Sequence, residues 1–584
     1  MKSFKERRKL EPRQFNYVNK RRGFRFNSVI WLVFFIAIVA TCWIGYVKLV
    51  PSFEQNNISY EFEHPIYYDG NLQASGAVIV DEHVKLPLPL LETILIDSPI
   101  YYEEESNTLV LTTVDKVLRF ETESLNALLN EKSYELTLTA EVVDDTVYIP
   151  SEIIEQLYDL HIEFSKSTGI VMVYKGNASV DTVTVSNEKG SHLRESATIK
   201  SPYYKVIESG QQVMVWEKLE DWIRVQTLDG VEGYIKTAHV TQNSPIVYQS
   251  NIDEYKGLDH DLSGQKINLT WEAIYNRQPK YADMPAMEGL NVVSPTWFEL
   301  VDDTGKIQGK ATHEYIEWAH SRGYQIWALF SNGFEPDQTS EVLASAEKRF
   351  FMIQQLLAFA ELYQLEGINI DFENVYTKDK ENLVQFVKEL TPIMHEQGLV
   401  VSIDVTPKSS SEMWSVFLDR AALGKIVDYM IVMAYDEHWA ASPKSGSVAS
   451  LPWVENSITR ILEEDGVPPE KLILAMPLYT RIWSEATQED GSVKVSSKAV
   501  GMIRTDEIIA ENKLEPKLDE ASGQHYVEYV EEGIKQRIWL EDELSIASRV
   551  NLVHKYNLAG VATWARSFQK PTIWPVIQET LITK

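Results

Sequence analysis

The chain reads as a multidomain protein that ends in a (β/α)8 TIM barrel, preceded by a small β-barrel, an α+β module and a single transmembrane helix. Three observations predict this. Residues Val29 to Val50 (VIWLVFFIAIVATCWIGYVKLV) are apolar up to Lys48, about 20 residues and long enough to cross a hydrocarbon core. Between about 52 and 243 the apolar residues alternate in short runs broken by turns, the period-2 pattern of small strands. From about Lys266 to the end, eight strand-like runs are mostly separated by segments of helical spacing, the order expected of a parallel barrel. An open doubly wound sheet is the alternative for this last region. No Gly-rich phosphate loop follows its first strand, so the usual nucleotide-binding version lacks support.

The span is read first. Trp31, Trp43 and Tyr46 lie near its ends, as interface aromatics do. The flank 1–28 is basic: its first 25 residues hold ten Lys or Arg against Glu6 and Glu11. That excess keeps the N-terminus in the cytoplasm and puts the large C-terminal part outside the cell. The stretch after the span, KLVPSFEQ, has no small-residue cleavage site, which argues for a retained anchor over a cleaved signal. The whole chain carries −30, so the part beyond residue 25 carries −38; so acidic a body repels phosphates and excludes nucleic acid as a partner. The one cysteine, Cys42, allows no intramolecular disulfide.

Residues 52–178 contain the strand-like runs AVIV, TLVLTTV, VLRF, YELTL, VYIP and GIVMVYK, with the helical stretches PLPLLETIL and SEIIEQLYDL between some of them. The segment YIPSEIIEQLYDLHIEFSKSTGIVMVYK resembles the strand–helix–hairpin unit of amine-oxidase N-terminal-like domains; the resemblance identifies no chemistry, and a spacer or stalk is the favoured reading. Residues 181–243 are short strands with Gly-containing turns, consistent with a small barrel. The pieces LRESATIKSPYYKVIESGQQV and WIRVQTLDGVEGYIKTAHV resemble bacterial SH3 domains. Trp222, Val225 and Tyr234 would be core or groove residues, and wall binding and spacing are both open roles.

In the region 264–584 the strand candidates are KINLTW, GLNVVSPTWF, YQIWALF, GINIDFE, LVVSIDV, VDYMIVMAY, KLILAMPLY and GVATWA. The helical candidates include SAEKRFFMIQQLLAFAELYQ and ENLVQFVKELTPIMHEQG, the latter ending at a Gly stop signal. The fourth strand carries the chemistry. In GINIDFENV, Asn369, Asp371 and Glu373 alternate with Ile368, Ile370 and Phe372. In a closed barrel the apolar set faces the helices and the polar set lines the interior. Glu373 would then stand at the C-terminal mouth, where active sites of this fold lie, with Asp371 and Asn369 in successive layers below. An antiparallel strand with one wet face alternates in the same way. The flanking helices and the cost of burying unpaired carboxylates favour the barrel reading.

EGINIDFE resembles the DGxDxDxE signature of family 18 glycoside hydrolases, the chitinase-like enzymes. MAYDEHW (Met433 to Trp439) matches the family's sixth-strand Met-x-Tyr-Asp element, PLYTRIW (Pro477 to Trp483) resembles its seventh-strand segment with Tyr479 and Arg481, and Trp564 in GVATWA matches its eighth-strand tryptophan. The set looks most like the bacterial spore-cortex and cell-wall members. This resemblance implies an N-acetylhexosaminidase whose nucleophile is the substrate's own acetamide oxygen, an exception to the two-carboxylate scheme. Glu373 would protonate the departing oxygen, Asp371 would bind the acetamide N–H, Tyr435 would bind the acetamide oxygen and Trp564 would stack on the sugar. Asp436 and Arg481 would bind sugar hydroxyls or form a structural ion pair. Two positions depart from the signature. Glu366 replaces its first Asp, where only a structural effect is expected. Asn369 replaces its middle Asp, which can share a proton with the next one; Asn369 can only donate a hydrogen bond to Asp371, so Asp371 is expected to stay ionised.

His438 and Trp439 would line the cleft or serve helix–loop packing, and Trp297 and Trp327 would be subsite walls or core. The 12 histidines show no metal-ligand spacing, so no metal and no cofactor are assigned. The leading expectation is a membrane-anchored extracellular hydrolase of a peptidoglycan or chitin-like glycan. A carbohydrate-binding, lectin-like wall protein is the second, although such relatives usually lose the terminal Glu that Glu373 supplies. A scaffold for spore or division assembly is the third.

Overall fold

The computed structural model describes residues 26–96, 99–253, 255–275, 280–281 and 284–582. Most of the predicted basic tail 1–28 therefore lies outside the described residues. Phe26–Leu49 is a 24-residue helix, close to the predicted 29–50. Among the described residues no helix is long and apolar enough to cross a membrane.

The chain forms two compact units. The first takes in residues up to Leu72, Phe164–Met172 and Asn177–Tyr248. Its main feature is a seven-stranded antiparallel sheet running from Thr182–Val185 to Val240–Gln242. Val225 is fully buried in it, while Trp222 and Tyr234 are half-buried.

The second unit holds Gln73–Glu163 and Gln249–Lys584. In its N-terminal part, the predicted helices appear as Leu88–Ile94 and Ser151–Leu157 among antiparallel strands. Its larger part is a closed barrel of eight parallel strands: β1 (Ile267–Glu272), β2 (Val292–Pro295), β3 (Gln325–Ser331), β4 (Gly367–Asp371), β5 (Val400–Val405), β6 (Tyr429–Met433), β7 (Leu472–Pro477) and β8 (Gly560–Trp564). Closure is made by β1 pairing with β8 and by β2 pairing with β3, where Val292 faces Gln325 and Val293 faces Ile326. All eight predicted strands are present, and the doubly wound alternative is excluded.

The alternation in β4 sorts its residues as a barrel requires. Ile368, Ile370 and Phe372 pack outward with Leu383, Phe386 and Val387 of the helix Lys380–Glu396, and the Phe372 and Phe386 rings stack at 5.8 Å. A second, inner cluster fills the cylinder with Leu269, Trp271, Trp327, Leu329, Ile431, Ala475 and Ala562. Trp327 is fully buried and stacks on Tyr429 with centroids 5.3 Å apart, closing the interior below the acids. Trp297 is also fully buried but belongs to the outer cluster. Both tryptophans are therefore core, not subsite walls. Gly367 is required here: a Cβ on it would lie 2.8 Å from Trp327 Cδ1 and 2.8 Å from the Val400 carbonyl oxygen.

The seventh-strand segment differs from expectation. The barrel strand stops at Pro477, which has no N–H to continue a ladder. Tyr479–Thr487 then begins a five-stranded antiparallel sheet with Val493–Gly501, Lys517–Asp519, Gln524–Glu531 and Ile534–Trp539. Tyr479 and Arg481 thus stand on an inserted module between β7 and β8, not on the barrel wall.

The close fit at the barrel floor gives a stability prediction. Gly367→Ala forces Trp327 or the β5 backbone to move and should destabilise the barrel by about 1–3 kcal/mol, read as a lowered melting temperature of the full chain.

Candidate active site

The site is built at the C-terminal end of β4. Asn369 is its lowest polar member and is fully buried. Its Oδ1 accepts from Trp271 Nε1 on β1 at 2.9 Å and from Ser294 Oγ on β2 at 3.1 Å. Two donors on one side of the amide fix its orientation, and Nδ2 donates to Asp404 Oδ1 on β5 at 2.9 Å. The expected hydrogen bond from Asn369 to Asp371 is therefore corrected: the amide points to a carboxylate on the neighbouring strand. A neutral Asn serves this position because two buried acceptors, Asn369 Oδ1 and Asp404, must both be supplied with donors.

Asp371 stands one layer above and is buried. Its Oδ1 has no hydrogen-bond partner among the described residues. Burial and then the Asp404 carboxylate push it well above the ordinary aspartate range. Burial and the Asp404 carboxylate thus both run against the expectation that Asp371 stays ionised in the free protein.

Glu373 follows at the mouth. Its backbone is clamped by Asn332, just after β3: Asn332 Nδ2 donates to the Glu373 carbonyl at 2.8 Å, and Glu373 N–H donates to Asn332 Oδ1 at 3.1 Å. Burial first, then Asp371 and Asp436, push the Glu373 carboxyl up to about 8. It therefore keeps its proton at neutral pH, as a general acid must.

Tyr435 follows β6 and packs on the inner cluster. Burial and then Asp404, Tyr479, Asp371 and Glu373 hold its hydroxyl well above the usual tyrosine value, so it stays a neutral donor within electrostatic reach of the three acids. Trp564, at the end of β8, packs on the same cluster with its ring 5.8 Å from that of Trp271. Asp436 accepts from the Tyr479 hydroxyl at 2.6 Å and lies 3.6 Å from Arg481 Nη2. Both of the readings left open for Asp436 and Arg481 remain geometrically served, since the pair is formed while Asp436 stays partly exposed. The inserted sheet thus reaches the site through Tyr479 and Arg481.

Glu366 sits at the entry of β4, where it accepts from Ile326 N–H at 2.8 Å and lies 3.1 Å from His320 Nε2. His438 Nδ1 bonds the Ser447 carbonyl at 2.8 Å within its own loop. Trp439 is 56% exposed. Sequence reasoning missed Asp404 and Asn332. Asp404 carried a signal: in VVSIDV, Ser402 and Asp404 alternate with apolar residues as the polar set of β4 does. Asn332 carried none, because a loop amide has no periodicity. Also missed were Tyr275, Phe334 and Trp414, exposed aromatics on the loops after β1, β3 and β5.

The site thus presents a protonated acid, a buried carboxyl with an unpartnered oxygen, a neutral phenol and a tryptophan floor. Three parts of the chain match known families. Residues 302–569 match the glycosyl hydrolases family 18, residues 189–241 the bacterial SH3 domain and residues 74–173 the copper amine oxidase N-terminal domain. Among curated relatives, the chain is 26% identical over 321 residues to the uncharacterized glycosylase YvbX of Bacillus subtilis, covering 53% of this chain and 88% of that protein. It is 26% identical over 266 residues to a cortical fragment-lytic enzyme of Bacillus anthracis, covering 44% of this chain and 60% of that protein. The solved spore cortex-lytic enzyme SleL of Bacillus cereus aligns at 21% identity and a TM-score of 0.49, over 54% of this chain and 74% of that one. The chain therefore carries a glycosyl hydrolase family 18 domain of the chitinase-like kind, joined to a bacterial SH3 domain and a copper amine oxidase N-terminal domain.

Proposed function

We propose that this chain is a membrane-anchored extracellular glycoside hydrolase that cleaves β-linked N-acetylglucosamine glycans of peptidoglycan by substrate-assisted, retaining catalysis. The observation that carries it is Glu373, an acid whose surroundings raise it to about 8, beside the unpartnered Asp371. Glu373 gives its proton to the glycosidic oxygen as the bond breaks. The acetamide oxygen of the same sugar attacks the anomeric carbon, so no protein nucleophile is needed. Asp371 takes the acetamide N–H, a donor that its free oxygen lacks. In its ionised form it would also stabilise the positive charge that develops on the ring formed from the acetamide. Tyr435 donates to the acetamide oxygen and fixes its line of attack. Water then opens that ring while Glu373, now ionised, accepts the proton.

The glycan class is supported by the relatives that act on cortical fragments and by the SH3 domain. Exposed Trp414 and Trp439 add apolar ring faces at the mouth. Anchoring is supported by the apolar run Val29–Val50, about 20 residues up to Lys48, and by the basic residues before it. Membrane fractions of cells expressing the full chain should retain it through high-salt washing and release it in detergent; release by salt alone overturns the anchor.

Three outcomes test the chemistry. Glu373→Gln in the full chain should lower release of reducing sugar ends from purified peptidoglycan by about 10²–10⁴-fold and leave wall binding intact. Equal release by both proteins would refute the enzymatic reading, and wall binding without release by either would establish the lectin. The wild-type rate should fall as pH rises through about 8, where Glu373 loses its proton. The same raised value has a stability consequence. The folded state holds this proton more tightly than the unfolded chain, so stability declines between the ordinary glutamate range and about 8. Glu373→Gln should therefore stabilise the protein at pH 8 by about 2–5 kcal/mol, and the gain should vanish near pH 4 in thermal melts.

A further inference from the structure

Asp404 belongs to no part of the chemistry described above, yet it is buried beside it. The register places it. β4 and β5 pair in parallel, with Asn369 facing Ser402 and Ile370 facing Ile403. One further step brings Asp371 alongside Asp404. Residues paired in parallel strands point to the same side, with backbones about 4.8 Å apart. Both carboxyls therefore enter the same buried interior. The titratable groups facing them are Glu373 from the end of β4, Tyr435 and Asp436 after β6, and Tyr479 from the inserted sheet; Arg481 is engaged with Asp436.

Two buried carboxylates this close cannot both be charged at neutral pH. Their hydrogen bonds differ. Asp404 Oδ1 accepts from Asn369 Nδ2 at 2.9 Å, and that amide cannot flip because Trp271 and Ser294 hold its oxygen. Asp371 Oδ1 accepts from nothing described. Burial pushes both carboxyls up, and only for Asp404 does a hydrogen bond, from Asn369, oppose that shift, so of the two Asp404 is better placed to carry a negative charge and Asp371 to hold a proton. An amide N–H arriving at Asp371 reverses the preference, since a donor stabilises the ionised form.

We propose that Asp404 is the positioning residue that shares one proton with Asp371: as substrate converts Asp371 from acid to carboxylate, Asp404 passes from carboxylate to acid. This rests on the reading of Asp371 as the acetamide-binding group. The exchange leaves one proton and one negative charge on the pair, so no further donor or acceptor is consumed. The carboxylate missing from β4 at Asn369 is in this way supplied from β5.

The test has one arm that needs no turnover. In the Glu373→Gln background, which removes the proton of Glu373, the carboxylic-acid C=O band of the full chain is followed by infrared titration and assigned by its loss in Asp371→Asn. Asp404→Asn should lower the titration midpoint of that band by about 1–2 pH units, the repulsion of one nearby like charge. An unchanged midpoint overturns the proposal. The second arm measures kcat/KM against pH on a fluorogenic N-acetylglucosamine trisaccharide. Asp404→Asn should reduce it about 10–10²-fold with a displaced profile, and Asn369→Asp combined with Asp404→Asn should recover most of the loss. Equal impairment of the single and double variants, with unaltered profiles, assigns Asp404 a structural role only and also overturns the proposal. If Asp404→Asn does not fold, the double variant decides by whether its midpoint matches that of Asp404-containing protein. A wild-type chain without turnover refutes the proposed function, and the infrared arm still decides the proton sharing.

Discussion

The hydrogen bonds of one side chain hold the chemistry of this barrel together. Asn369 joins β1, β2 and β5 from its place on β4, and each partner is itself an interior residue. A buried amide with all of these groups satisfied is stable; the same amide with one partner lost exposes a polar group to a medium that cannot solvate it. The arrangement therefore fixes the height of β4 against its neighbours, and with it the height of Asp371 and Glu373. Asn332 completes the framing from β3 by gripping the Glu373 backbone on both sides. Acids of this kind are costly to the fold, and the rigid surroundings keep them in place despite the cost.

How much of this could be read from the sequence depended on periodicity. Eight apolar runs punctuated by helical spacing sufficed for the barrel, because strand and helix periods differ and the alternation repeats. The two faces of β4 were legible for the same reason, and Ile370 and Asn369 do part to opposite sides. Contacts between strands were not legible. Asn369 was read as a partner of Asp371, two positions along its own strand, whereas its donor reaches Asp404, which is remote in sequence and adjacent only through β-sheet register. Loop residues such as Asn332 and Tyr275 escaped because nothing periodic marks them. The inserted sheet was hidden by its own first strand: LYTRIW continues the apolar pattern of β7 beyond Pro477, so the end of one element and the start of another read as one.

The two faces of the barrel divide the work. The outer cluster of aliphatic side chains and Phe residues between strands and helices is continuous and dry, and supplies stability through buried apolar area. The inner cluster is smaller and gives way upward to polar groups. Electrostatics follow the same gradient: six acidic or phenolic groups converge (Asp371, Glu373, Asp404, Tyr435, Asp436 and Tyr479) and Arg481 is already occupied by Asp436, so Asp371, Glu373 and Asp404 are pushed towards their neutral forms.

The stacked Trp327 and Tyr429 rings have a consequence for traffic. They make the cylinder a blind cup. Under the proposed hydrolysis a glycan would not thread through it, and both fragments of a cut strand would leave past the rim they entered, over the loops that carry the exposed Tyr275, Phe334, Trp414 and Trp439.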